Sequence, residues 1–257
     1  MRYMPSKDFG GGLDRLYTLI GEDHTPPGTD DLPAAFAYAA LLHVVDMAHG
    51  ISLLHHDGRC WVVPPLMRSL LEYTMGAMWL AEARSNAVAV LMRGAQGAGG
   101  KLLRDVTDAG RTLEDYWGAE LAGDFREGLA FPLPPHSDEY LSRFSHLLKA
   151  YGFDELVAEY DVLSTHSHLS LFGLLRGLSF LPPGVSEQIS GEVDCERRTF
   201  QMAFEAASAV DGLLAGSPWS AGLASIRTDY DLLPSEPQRR SRPSTKNGKM
   251  AKGSSAS

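Results

Sequence analysis

"PPLMRSLLEYTMGAMWLAE", residues 64–82, predicts one long helix whose side chains are apolar in nearly every direction. The two prolines suit the first turn of a helix, where the backbone N–H groups have no partner within the helix. A helix that is apolar all round is normally buried between other elements. Arg68 and Glu72 interrupt this helix, and a buried charge is costly unless a partner compensates it. The two charges can pair with each other, but a guanidinium has five donors, so other helices are expected to supply further polar partners.

A second predicted helix, residues 154–178, carries side chains that suit the two charges. Tyr160, Ser164 and His168 are spaced by four residues, so they lie on one face of that helix. Three leucines form an apolar stripe on the same face, which predicts that this face packs into the core. The sequence therefore predicts one buried polar cluster, formed by Arg68, Glu72, Tyr160, Ser164 and His168.

Three interpretations of this cluster stay open. It can be a structural network that fixes how the helices pack, a role that buried polar groups have in some proteins. It can also line a binding pocket or an active site, in which Glu72 and His168 would act as an acid–base pair near neutral pH. In the third interpretation the five side chains never meet.

The rest of the chain also predicts helices, because no run of β-branched residues alternates over a useful length. About seven helical segments with short breaks predict an all-α, single-domain bundle of about six or seven mainly antiparallel helices. We expect an irregular N-terminal segment over residues 1–30, with one short helix near residues 13–20. The bundle should span residues 31–234. Residues 235–257 are predicted to be a disordered basic tail, since they have almost no apolar side chains to offset the entropy of ordering.

The distribution of charge argues against nucleic-acid binding by the body of the protein. The net charge is −9, and residues 235–257 carry six basic residues and one acid, so residues 1–234 carry a net charge of −14. Such a body repels phosphate backbones. The two cysteines have no zinc-type spacing, so neither a structural zinc site nor a disulfide scaffold is expected.

The most apolar window, residues 32–54, has His43, Asp46 and His49 at its centre. These side chains would be costly in the middle of a bilayer, which favours a buried helix of a cytoplasmic protein without a membrane span. Their H-x-x-D-x-x-H spacing makes them weak candidates for a metal site. Metal sites in helical bundles use paired E-x-x-H motifs, and this chain has none. The spacing therefore favours a structural Asp–His pair, and no cofactor is expected.

The stretch "RGAQGAGGKLL", residues 93–103, has some features of a phosphate-binding loop but departs from the motif at two positions. The motif needs glycine at position 95 and serine or threonine at position 102, where this chain has alanine and leucine. The glycines therefore predict a loosened break in a helix.

The stretches "RSLLE", residues 68–72, and "YDVLSTHSH", residues 160–168, resemble motifs of a bacterial family of all-helical proteins of unknown function, common in actinobacteria. The resemblance covers about residues 33–215 and implies an all-helical fold without an established activity. Such proteins also bear a distant resemblance to the helical HEPN ribonucleases. Their signature places an arginine four to six residues before a histidine. The nearest such pair in this chain, Arg143 and His146, is only three positions apart. This departure from the signature disfavours ribonuclease activity.

These observations leave three classes of function. The favoured class is a binding or regulatory module that holds a small polar ligand or a segment of a protein partner near the cluster. The alternative is an enzyme, a hydrolase or a HEPN-like ribonuclease of a defence or stress system, with Glu72 and His168 as its acid–base pair. The third is an interaction protein of such a system.

Overall fold

A computed structural model describes residues 8–22, 24–28, 30–59, 62–130, 144–151, 153–167 and 195–232 of the chain. Within these ranges the protein forms nine α-helices and no strand, which confirms the predicted all-α class. His168 and the predicted tail, residues 235–257, lie outside the described residues. The helices are α1 (Phe9–Ile20), α2 (Leu32–His56), α3 (Val63–Ala83), α4 (Ser85–Asp108), α5 (Glu114–Ala130), α6 (Phe144–Ala150), α7 (Glu155–Ser167), α8 (Cys195–Asp211) and α9 (Ser220–Asp229).

The centre of the fold is the pair α2 and α3, with α8 packed against both. Helix α2 begins directly after Asp31, whose carboxylate accepts a hydrogen bond from the backbone N–H of Ala34 at 3.2 Å. Pro64 lies in the first turn of α3, as the sequence predicts. Leu41 of α2, Leu70 of α3 and other fully buried side chains fill the space between the three helices. Helix α7 packs against α3 and so brings Tyr160 to that helix.

Helix α1 includes the short helix expected near residues 13–20, but it begins earlier, at Phe9, and it belongs to the core. Leu13 and Leu16 of α1 are fully buried in the same core cluster as α2 and α3. Gly12 allows this packing, since a Cβ atom there would lie 2.9 Å from the Tyr230 ring and 3.0 Å from the Phe200 ring. The glycines that suggested an irregular segment instead allow a close approach between helices.

Helices α4 and α5 form a hairpin, which we call the arm (residues 85–130). Only Arg84, which has a positive φ of 46°, separates the end of α3 from the start of α4. The predicted glycine break in α4 was wrong, because the helix is continuous. Gly99 lies in its interior, and a Cβ there would lie 2.5 Å from the Leu129 side chain of α5. This glycine therefore allows the two helices of the arm to pack closely.

Helix α5 bends at Gly118, whose φ is 78°. An ion pair bridges the bend, because both terminal nitrogens of Arg126 donate to the Glu114 carboxylate, one of them at 2.9 Å. These hydrogen bonds lower the pKa of Glu114 to about 2. The arm is thus held in its bent shape by its own side chains.

Candidate functional site

Arg68 and Glu72 lie one turn apart on a face of α3 that is only partly covered. Their side chains are 23% and 37% exposed, so the prediction that these two charges are buried was wrong. The neighbouring aromatic residue Tyr73 is 40% exposed as well.

A closed triangle of contacts joins Arg68, Glu72 and Tyr160. The Tyr160 hydroxyl donates to Oε1 of Glu72 at 2.6 Å, and it accepts from Nη2 of Arg68 at 3.2 Å. The same Arg68 nitrogen lies 3.2 Å from Oε1 of Glu72. The guanidinium also lies over the Tyr160 ring, 5.3 Å from its centroid, at a distance typical of a cation–π contact. The triangle fixes α7 against α3.

The contacts within the triangle also change its protonation equilibria. The hydrogen bond with Tyr160 raises the pKa of Arg68, and the Glu72 charge raises it further. Burial raises the pKa of Tyr160, and its hydrogen bond to Glu72 raises it further. Tyr160 is therefore held as the neutral phenol that can donate to the carboxylate.

Three of the five predicted cluster residues meet, and Ser164 does not join them. Its hydroxyl donates to the backbone carbonyl of Tyr160 at 2.8 Å, one turn earlier in its own helix. Such a bond is common for serine within helices. His168 lies outside the described residues, so the acid–base pair of Glu72 and His168 stays a prediction.

An apolar groove of about 790 Å³ opens beside the triangle, between α2 and α3 on one side and the arm on the other. Its size falls within the range of sites that bind small molecules. No pattern in the sequence indicates this groove, since it depends on where the arm lies. Both sides contribute to its walls, which include Phe36, His43, Tyr73, Gly76, Leu91 and Leu129.

Three polar side chains, Glu72, His43 and Tyr73, belong to the groove wall, and we call them the polar edge. The rings of His43 and Tyr73 contact each other at 4.7 Å between centroids. Both recorded partners of Glu72 bind its Oε1 atom, and Oε2 has no hydrogen-bond partner among the described residues. The carboxylate can therefore accept a further hydrogen bond from a molecule in the groove.

The predicted pair between Asp46 and a histidine was wrong. His43, Asp46 and His49 are all exposed on α2, and the His49 ring contacts Tyr17 instead, at 5.9 Å between centroids. The buried stripe of α2 runs through other positions, such as Val44 and Ala48. Within the described part of the chain, no group of three or more histidine, cysteine or acidic side chains is arranged to hold a metal ion.

Helix α2 is long and apolar enough to cross a membrane, with a mean hydropathy of 1.4 over its most apolar window. This is weak evidence, because core helices pass the same test. One third of that window is buried inside the protein, against α3 and α8.

Comparison with known proteins finds no matching family model, no matching curated protein and no matching solved structure. The resemblance to a bacterial family of helical proteins therefore stays a prediction.

Proposed function

We propose that this protein is a binding module that holds an amphipathic small molecule in the groove. One observation carries the proposal: Glu72 belongs to the wall of an apolar groove of small-molecule size, and one oxygen of its carboxylate has no hydrogen-bond partner among the described residues. Binding sites for small molecules typically combine a mainly apolar lining with a few placed polar groups. The expected small polar ligand is thereby revised to one with an apolar body and a polar head.

Two different forces would act on such a ligand. Its apolar body would gain about 25 cal/mol for each Å² removed from water against side chains such as Leu91 and Leu129. Its head would bind at the polar edge, where Glu72 is held in place by Tyr160. The apolar walls would thus supply most of the affinity, and the polar edge would orient the ligand. We place this activity in the cytoplasm, again as a proposal.

The test is to fill the groove from within and measure binding of a neutral apolar dye, Nile red, by its fluorescence. Gly76 lies on the groove wall, and a Cβ atom there would meet no other atom within 4 Å. Leucine at this position should therefore enter the groove without moving the backbone. It should also favour the helix by roughly 0.5–1 kcal/mol relative to glycine. We expect Gly76→Leu to weaken dye binding at least tenfold while the protein stays folded.

Gly50→Leu is the matched control. Gly50 also lies inside a long helix, and a Cβ atom there also meets no other atom within 4 Å, but this residue is not on the groove wall. The control should therefore bind the dye as the unchanged protein does. Equal dye binding by the Gly76→Leu variant, or no saturable binding by the unchanged protein, would contradict the proposed function.

A further inference from the structure

We propose that the ligand of the groove carries a cationic amine as its head group. This inference rests on the proposed function and adds the chemical class of the ligand. It starts from the charges at the groove. Among the described residues that line it, Glu72 is the only carboxylate, and none is a lysine or an arginine.

The recorded contacts of the Glu72 carboxylate all fall on one of its two oxygens. A guanidinium nitrogen of Arg68 lies 3.2 Å from Oε1, which the Tyr160 hydroxyl also binds. The other oxygen, Oε2, has no hydrogen-bond partner among the described residues. A carboxylate can accept about four hydrogen bonds, and ionised donors form the strongest ones. An ammonium group would donate a hydrogen bond to Oε2 and would bring a positive charge next to the carboxylate.

Apart from Arg68, which already pairs with the carboxylate, the surroundings of Glu72 favour a cation over an anion as well. Tyr73 lies next in sequence, on the groove wall, and an aromatic face attracts a cation. The charge of −14 on residues 1–234 also steers cations toward the protein and repels anions. A fatty-acid type of ligand would have the right apolar body but would bring its negative charge close to Glu72.

The test compares three compounds with the same ten-carbon chain: decylamine, decanol and decanoate. Each competes with Nile red for the groove at pH 7 and low salt, below the concentration at which it forms micelles. We expect decylamine to bind about fivefold more tightly than decanol, since partly exposed charge pairs contribute up to about 1 kcal/mol. Decanoate should bind most weakly. The preference for the amine should shrink at high salt, because the pair is partly exposed.

A pair of variants with equal net charge assigns the preference to one carboxylate. Glu72→Gln should bring the ratio of decylamine to decanol affinity close to one. Glu82→Gln removes a carboxylate from the same helix at a position away from the groove wall, so this variant should keep the full ratio. Thermal unfolding of both variants checks that they are folded before binding is compared.

The possible failures are distinct. If decanol or decanoate competes as well as decylamine, or if Glu82→Gln lowers the ratio as much as Glu72→Gln does, the amine proposal is wrong. The proposal that the groove binds a ligand would still hold in that case, provided that Gly76→Leu weakens dye binding at least tenfold. If Gly76→Leu leaves dye binding intact, the proposed function fails first.

Discussion

Tyr160 is the residue that joins α7 to the two charges of α3. Tyr160→Phe removes one hydroxyl and with it the bonds to Glu72 and Arg68, while the ring can stay over the guanidinium. We expect the variant to lower the free energy of unfolding by about 1 kcal/mol, the usual net value of a hydrogen bond. Urea unfolding measures this change.

Tyr17→Phe is the control for that measurement. The Tyr17 hydroxyl is buried and has no hydrogen-bond partner among the described residues, so its removal should be neutral or slightly stabilising at pH 7. A loss of stability in Tyr17→Phe as large as that in Tyr160→Phe would show that the hydroxyl bonds at Glu72 are not the cause.

The partial exposure of the two charges also sets the effect of Glu72→Ala. A fully buried pair would predict a loss of roughly 3–5 kcal/mol when one partner is removed. Because the two side chains are 23% and 37% exposed, water can solvate the remaining guanidinium. We therefore expect a loss of about 1 kcal/mol, close to the value for exposed pairs. A loss above 3 kcal/mol in urea unfolding would mean that the triangle is buried in solution.

Tyr17 should also make the protein unstable at high pH. Burial raises the pKa of its hydroxyl, and the charges of Asp14 and Asp46 raise it further. Because the pKa is raised in the folded state, the tyrosine of the unfolded chain ionises first, at a pKa of about 10. The folded protein therefore keeps its full stability below that pH and loses stability as pH rises above it. The free energy of unfolding, measured between pH 8 and pH 11, should therefore fall less in Tyr17→Phe than in the unchanged protein. Parallel curves would contradict this.

At the residue scale, the sequence could predict which groups meet but not how exposed they are. The spacing of four residues placed Arg68 and Glu72 side by side, and the need for a partner pointed to Tyr160. Exposure depends on where the neighbouring helices lie, which no local pattern encodes. Ser164 has the right spacing too, but a backbone carbonyl within its own helix is its nearer partner.

At the scale of helices, Gly12 tests whether α1 is part of the core. Gly12→Ala should destabilise the protein by about 1–3 kcal/mol, because the added methyl group would collide with the rings of Tyr230 and Phe200. Helix propensity alone predicts the opposite sign, since alanine is favoured over glycine by about 0.5–1 kcal/mol. Urea unfolding distinguishes the two.

Gly10→Ala is the matched control in the same helix. A Cβ atom there would have its nearest contact at 3.4 Å, with the Asp8 carboxylate, which is an ordinary distance. This variant should be neutral or slightly stabilising. If both alanine variants stabilise the protein equally, α1 does not pack as the structure has it.

The predicted bounds of α3, residues 64–82, agree with the structure to within one residue at each end, because two prolines mark its start. Glycine misled the prediction at two other helices. In α1 and α4 it lies where another chain segment comes close, at Gly12 and Gly99, and not where the helix ends. A single sequence does not distinguish a glycine that allows two helices to pack closely from a glycine that interrupts a helix.

At the scale of the whole molecule, the basic tail stays a prediction from composition. Deleting residues 235–257 removes a net charge of +5 and almost no apolar side chains. We expect the melting temperature to change by less than about 2 °C, because a segment without apolar residues contributes little to a core. A drop of several degrees in calorimetry would show that the tail packs against the body.

The all-α class could be predicted because helical periodicity recurs along the chain and strand signals are weak. The groove could not be predicted, because its two walls come from helices that are distant in sequence, such as α2 and α5. Its existence depends on the angle between the arm and the bundle. Arg84 lies at the turn between α3 and α4, and no sequence pattern marks its positive φ.

The single-residue connection at Arg84 limits which changes in chain length the protein can accept. An inserted residue is usually accommodated in a surface loop. A connection of one residue between two helices cannot accommodate an insertion in this way. An insertion carried into α4 would rotate its later residues by about 100° around the helix axis. Leu91 and Met92 would then leave the groove wall. Homologous sequences should therefore tolerate substitutions along the outer face of the arm. They should nevertheless keep the number of residues between α3 and Leu91 constant.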